Sequence, residues 1–155
     1  MNHQQNNENR TSERHARIIL GSYRRLLGKE LFEIDTSQPL AQQLYEAPIV
    51  VLSHGVEADP VLNYGNLEAL KLWEMSFEHF TQTESKHTAE PLIQAERQRF
   101  LQAVNEKGYI DDYSGIRISS SGRRFRIQQA IVWNLTDDHG VYYGQAAAFA
   151  SYEEV

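Results

Sequence analysis

Few groups in this chain stand where they could move a proton, grip a metal or hold an anion. His54 lies beside Ser53 and shortly before Asp59, the residue types of a general-base arrangement. Adjacent side chains on an extended strand point to opposite faces, so a small enzyme built on His54 is only a distant reading. Asp111-Asp112 and Asp137-Asp138-His139 carry enough charge for a hard cation. The second cluster falls between two β-rich runs, where Asp and His side chains bond the backbone of turns, and a structural turn is the favoured reading. Asp111-Asp112 are expected to pair with Arg117, Arg123 or Arg126. With Arg124 these arginines crowd one predicted hairpin, where they would recognise a carboxylate or phosphate by paired hydrogen bonds, or keep an exposed edge from aggregating. His79 and His87 precede a long helix and keep haem ligation open as an alternative; no cofactor is specified by these residues.

Composition closes several classes. The chain has 155 residues and no cysteine, which removes disulfides, thiolate metal sites, a cysteine nucleophile and any flavin chemistry through a cysteine adduct. No G-x-S-x-G, P-loop, G-x-G-x-x-G or H-E-x-x-H occurs. A formal net charge of −6 disfavours nucleic acid as a partner. With 41% hydrophobic residues, a chain this long folds as one domain burying roughly 70% of its unfolded surface. No apolar run approaches the roughly 20 residues of a membrane span, and the Asn/Gln-rich start is no signal peptide, so a cytoplasmic location is expected.

The elements that must position these groups follow from period and punctuation. Residues 1–11 read as a disordered tail. From Ser12 to Phe32 the spacing of Ile19, Tyr23, Leu26 and Leu27 predicts an amphipathic helix whose polar face is basic, through Arg14, Arg17, Arg24, Arg25 and Lys29 with Arg10 just ahead, against Glu13 as the one acid before Glu30. A turn at 35–39 and a short helix at 40–45 complete an N-terminal extension, residues 12–46. Pro48 opens a strand over 49–52, and a second runs from Val61 to Tyr64. Asn66 is a cap for a helix carrying Leu67, Leu70 and Trp73; Ser76 caps a turn with Phe77 and Phe80. A longer helix over 90–107 turns Ile93, Phe100, Leu101 and Val104 inward and stops at Gly108. Then the period falls to 2. Strands are expected at 109–119, 123–135 and 141–152, with Phe125, Ile127, Gln129, Ile131, Trp133 and Leu135 sharing one face. Gln129 is the odd residue on it.

Several segments carry a family resemblance: Glu46-Ala47-Pro48 with Val51-Leu52-Ser53-His54-Gly55, Leu62-Asn63-Tyr64-Gly65-Asn66, Leu72-Trp73-Glu74, Gly108-Tyr109-Ile110-Asp111-Asp112-Tyr113, Gly122 to Ile127, Val132-Trp133-Asn134-Leu135 and Gly144-Gln145-Ala146-Ala147. The chain resembles bacterial stand-alone proteins of the MEKHLA domain family, which is similar to PAS domains. The resemblance implies an α+β fold over residues 47–152: a PAS-like five-stranded antiparallel sheet with short helices on one face, preceded by the N-terminal helix. It implies a non-enzymatic sensory or small-ligand-binding protein, with a dimerisation module of filled core as the alternative. In such a fold, candidates to orient a ligand are His54, Tyr64, Asn66, Trp73, Tyr109, Tyr113, Trp133, Asn134 and Gln145. The ligand is expected between the Trp133 face and the Trp73 helix. With no output domain, the signal is expected to pass by association, as a homodimer through the N-terminal helix.

Overall fold

The computed structural model describes residues 9–155; of the expected tail, residues 1–8 lie outside the described residues, and Asn9–Thr11 forms a single 3-10 turn. Helix α1 (Glu13–Leu27) starts where the Ser12 hydroxyl accepts from the His15 amide and stops where Gly28 turns left-handed at φ 75°. That glycine ends it short of Phe32. The lone acid of α1 is used locally. Glu13 accepts from the amides of Leu40 at 3.1 Å and Ala41 at 2.6 Å, capping helix α2 (Leu40–Tyr45), which has no side-chain cap of its own.

A six-stranded antiparallel sheet follows the order β2-β1-β5-β4-β3, built from β1 (Val50–His54), β2 (Leu62–Gly65), β3 (Tyr109–Ile118), β4 (Arg124–Thr136) and β5 (Tyr142–Phe149). The sixth strand, β6 (Ser151–Glu154), is the end of the third predicted late strand; it is separated from β5 at Ala150 and pairs with the first half of β4. Helices α3 (Leu67–Trp73), α4 (Phe77–Phe80) and α5 (Gln94–Lys107) lie on the inner face, and α1 covers the outer one. Helix α5 starts at Gln94 rather than 90 and only part of the expected inward set packs: Val104 is buried and Phe100 half-buried, whereas Leu101 is 46% exposed and Ile93, at the cap before the helix, 71%.

The single apolar face expected for β4 is in fact two. Gln129 adopts φ 49° and is exposed, and the alternation changes phase across it. Before it, Phe125 and Ile127 face inward, Phe125 meeting the Trp73 ring edge-on at 5.3 Å. After it, Ala130 and Val132 take the inner face, and Trp133 and Leu135 turn outward to α1. There the Trp133 indole donates to the Ile19 carbonyl at 3.1 Å and packs edge-on against Tyr23 at 5.0 Å. The Trp133 face therefore does not look toward the Trp73 helix.

Gly144, in β5 at φ 119°, sets the junction with β1: a Cβ there would drive into the His54 carbonyl oxygen, which is backbone and has no room to yield. Gly144→Ala is expected to lower unfolding free energy by about 2–4 kcal/mol, from strain at a glycine-only φ plus the steric shift. Urea unfolding measures it; a loss under 1 kcal/mol would mean that β1 and β5 separate freely here.

Candidate functional site

Between the inner face of the sheet and the edge of α5 lies a cavity of about 210 Å³. The strand registers bring its wall together: Leu52 pairs with Ala147, which pairs with Val132, and His54 pairs with Gln145, which pairs with Asn134. Each trio shares the inner face. Leu62, Ser85, Phe100, Tyr113 and Arg117 join the lining, together with Ser53 and Ala146, whose side chains alternate to the other face. Ala147 makes the space, because a methyl stands where neighbouring positions carry Leu or Val. Phe100 closes one side, its ring 5.5 Å from Tyr113 and tilted edge-on.

The polar atoms of the cavity differ in kind from place to place. At the β1–β5 end, His54 Nδ1 lies 2.9 Å from the Gly55 carbonyl, which only accepts, so the neutral ring carries its proton on Nδ1 and leaves Nε2 as an acceptor. Gln145 donates to Asn134 Oδ1 at 3.1 Å. On β3, Arg117 donates to the Tyr113 hydroxyl at 3.1 Å, with its guanidinium 5.6 Å from the Tyr113 ring centre. Its Nε is buried without a hydrogen-bond partner, and among the described residues it makes no ion pair.

Of the residues proposed to orient a ligand, the structure brings His54, Tyr113 and Gln145 to this cavity and sets Asn134 behind Gln145. The others go elsewhere. Asn66 is fully buried as a structural tie, bonded to Val51, Ala69, Leu44 and Ile49. Trp73 fills the core among Phe80, Phe125 and Phe149. Trp133 and its register partner Tyr109 belong to the outer face, and Lys107 lies over the Tyr109 ring at 5.3 Å. Tyr64 packs on Phe77 and His15, and burial holds its phenol far above the ordinary range. Leu52, Leu62, Ser85, Phe100, Val132 and Ala147 carry none of the amphipathic character that marks a candidate in sequence. The run Ala146-Ala147-Ala148, unusual in a strand, was the one available signal.

The arginine group is dispersed. Arg124 bonds Glu90 at 2.6 Å, Arg126 pairs with Glu153 at 3.5 Å, and Arg123 pairs with Glu154 at 3.1 Å while donating to the Leu72 carbonyl. Only Arg117 points inward without an acid. Asp112 pairs with Arg99 at 3.0 Å rather than with an arginine of that hairpin. Asp137 accepts from the amides of His139 and Val141 as a turn residue, and the described residues hold no cluster that would bind a metal. His79 and His87 are exposed and outside the cavity lining.

Ser53 faces away from His54, under α1, and joins a second polar chain. Its hydroxyl donates to Asn63 Oδ1 at 2.5 Å and lies 3.2 Å from His15 Nε2, which therefore donates to it. Burial, helped by Arg14, pushes the His15 pKa down from 6.5 to about 4. Between those values the unfolded chain binds a proton that the folded one refuses, so stability falls as pH drops through this window. From pH 6.5 to 5, ahead of most carboxylate titration, His15 is expected to cost about 1.5 kcal/mol. Urea titrations of wild type and His15→Gln at both pH values measure it; an equal pH slope in the variant would sink the assignment.

No helix among the described residues is long and apolar enough to cross a membrane. A search of curated proteins finds no match. Among solved structures, the chain is similar to a PAS domain from Colwellia psychrerythraea (10% identity, TM-score 0.58, 78% of this chain and 98% of that one). It is also similar to a light–oxygen–voltage domain studied with a flavin analogue (14%, 0.56, 76% and 85%). A third likeness is to the light-state dimer of the fungal blue-light photoreceptor Vivid (9%, 0.55, 84% and 91%). These likenesses establish a PAS fold. The MEKHLA domain model matches residues 13–154, so the match takes in α1 as well as the sheet, and the chain belongs to the MEKHLA domain family.

Proposed function

We propose that this chain is a non-enzymatic sensory domain that takes a small molecule into the inner-face cavity and reports occupancy by a change in protein association at α1. The cavity carries the reading: it is apolar in its middle, with convergent polar groups supplied by three strands, the make-up of a ligand site. Strands β4 and β5 link it to α1, because Val132 and Ala147 face the cavity while Trp133 and Ala146 face the helix. A ligand that shifts those strands shifts the surface on which α1 rests.

The apolar face of α1 is spent within its own chain, with Ile19 and Tyr23 buried on the sheet. A homodimer through this helix would therefore use its outward Arg17 and Arg24 against acidic residues of a second copy, since Arg14 is held by Tyr143 and Arg25 by Thr136. A flavin, suggested by the light–oxygen–voltage likeness, does not fit. The cavity is below the roughly 300–1,000 Å³ of sites for drug-sized ligands, and the chain has no cysteine to form a thiol adduct.

The test compares wild type with Ala147→Leu, which fills the cavity, by native mass spectrometry and thermal shift against a metabolite panel. Ligand binding seen in wild type and lost in the variant supports the reading. A panel that moves neither protein, with a bare-chain mass throughout, would favour a filled interaction module. For the output step, Arg17→Glu with Arg24→Glu is expected to abolish any ligand-dependent change in oligomeric state, measured by light scattering.

A further inference from the structure

We infer that the cavity selects a small organic monocarboxylate, held at its acid end by Arg117 and at its other end by a hydroxyl-bearing tail facing His54 and Gln145. This rests on the reading of the cavity as a ligand site and adds the chemical class. Arg117 is the sole cationic side chain in the lining, and no acidic side chain stands with it. A half-buried guanidinium with no counter-charge is costly to hold, and an incoming carboxylate would neutralise it. The other arginines of the hairpin each have a protein carboxylate; this one is held against Tyr113 instead, by a hydrogen bond and by its position over the ring. That contact orients the planar fork without neutralising it.

The rest of the lining limits the ligand. Leu52, Leu62, Phe100 and Val132 admit a short aliphatic body and reject a second charge. At the far row, His54 Nε2 is an acceptor by tautomer, and Gln145 has a carbonyl oxygen left after its amide nitrogen bonds Asn134. Either acceptor, on register partners of adjacent strands, receives a hydroxyl proton. A volume of about 210 Å³ fits a chain of a few carbons and not a fused-ring cofactor.

The experiment uses the full chain with three matched probes, hexanoate, hexanamide and hexylamine, followed by 6-hydroxyhexanoate, with affinity read by calorimetry. Hexanoate is expected to bind about 10- to 100-fold more tightly than hexanamide, the worth of a charge-assisted pair. Arg117→Gln should erase that difference and Arg117→Lys restore part of it, while circular dichroism confirms that both variants fold. The hydroxylated acid should bind more tightly than hexanoate, and His54→Phe should remove only that gain. If hexanamide binds as well as hexanoate, and Ala147→Leu blocks both, the cavity reading stands and the carboxylate assignment falls. Tighter binding of hexylamine overturns it in the same way. If none of the probes binds while the metabolite panel still shifts wild type and not Ala147→Leu, the carboxylate assignment falls alone; if the panel is silent as well, both readings fall.

Discussion

Asn66→Ala is expected to lower the unfolding free energy by about 3–5 kcal/mol, as much as deleting a large core side chain. The Asn66 Oδ1 accepts from the amides of Val51 at 3.0 Å and Ala69 at 3.2 Å, and its Nδ2 donates to the carbonyls of Ile49 at 2.8 Å and Leu44 at 3.2 Å. One fully buried amide thus ties the end of α2, the start of β1 and the first turn of α3. Removing it leaves the Val51 and Ala69 amides and the Ile49 carbonyl in a buried site without that partner, each costing about 1–3 kcal/mol if nothing relaxes, while the Leu44 carbonyl keeps the Ala47 amide at 3.4 Å. Relaxation of the α2 end brings the total below their sum. Two further substitutions separate the cap from the tie. Asn66→Ser retains the cap of α3 and is expected to recover about 1 kcal/mol. Asn66→Asp keeps the acceptor but presents a carboxylate to two carbonyl oxygens, so it is expected to be as damaging as alanine at pH 7 and milder in acid, where the carboxyl can donate. Urea denaturation of the three variants at pH 7 and pH 5 measures this; an alanine variant within 1 kcal/mol of wild type would show that the three elements do not depend on this junction.

Asn66 also shows what a sequence can convey. Its capping position was legible, because an Asn before a helix-period run has one common structural meaning, and Gly108 was legible as a stop for the same local reason. Its assignment to a ligand was not sustained by geometry, since three of the partners that consume its bonds come from 15 to 22 residues upstream. Distance along the chain hid the arginines in the same way. Glu90, Glu153 and Glu154 reach them through pairings that no local pattern announces, and only then does Arg117 stand apart. Gln129 was visibly out of place on β4, but counting in twos assumes a constant phase. A single residue at positive φ reversed that phase and moved Trp133 to the other side of the sheet. The cavity was least legible of all, for it exists through a missing side chain at Ala147, and composition records what is present.

The displaced Trp133 leads to the second large effect. Trp133→Ala is expected to cost about 3–5 kcal/mol, because the residue is fully buried, meets Tyr23 edge-on and holds the Ile19 carbonyl. Trp133→Phe retains most of the packing, loses the indole bond and should cost about 1–2 kcal/mol. The location of the loss matters more than its size. α1 is anchored to the sheet by Trp133, by Ser22, whose hydroxyl donates to the Thr136 carbonyl and accepts from its amide, and by Arg25 on the same carbonyl. Cutting the Trp133 contact in the phenylalanine variant should therefore speed amide exchange across residues 16–24 while protection at Leu52, Val132 and Ala147 on the cavity wall persists. Such a split would mean that α1 opens as a unit above an intact sheet, which is what a reporting helix must do. Uniform loss of protection over both regions would make α1 an inseparable part of the core. Signalling would then have to leave the protein by another surface.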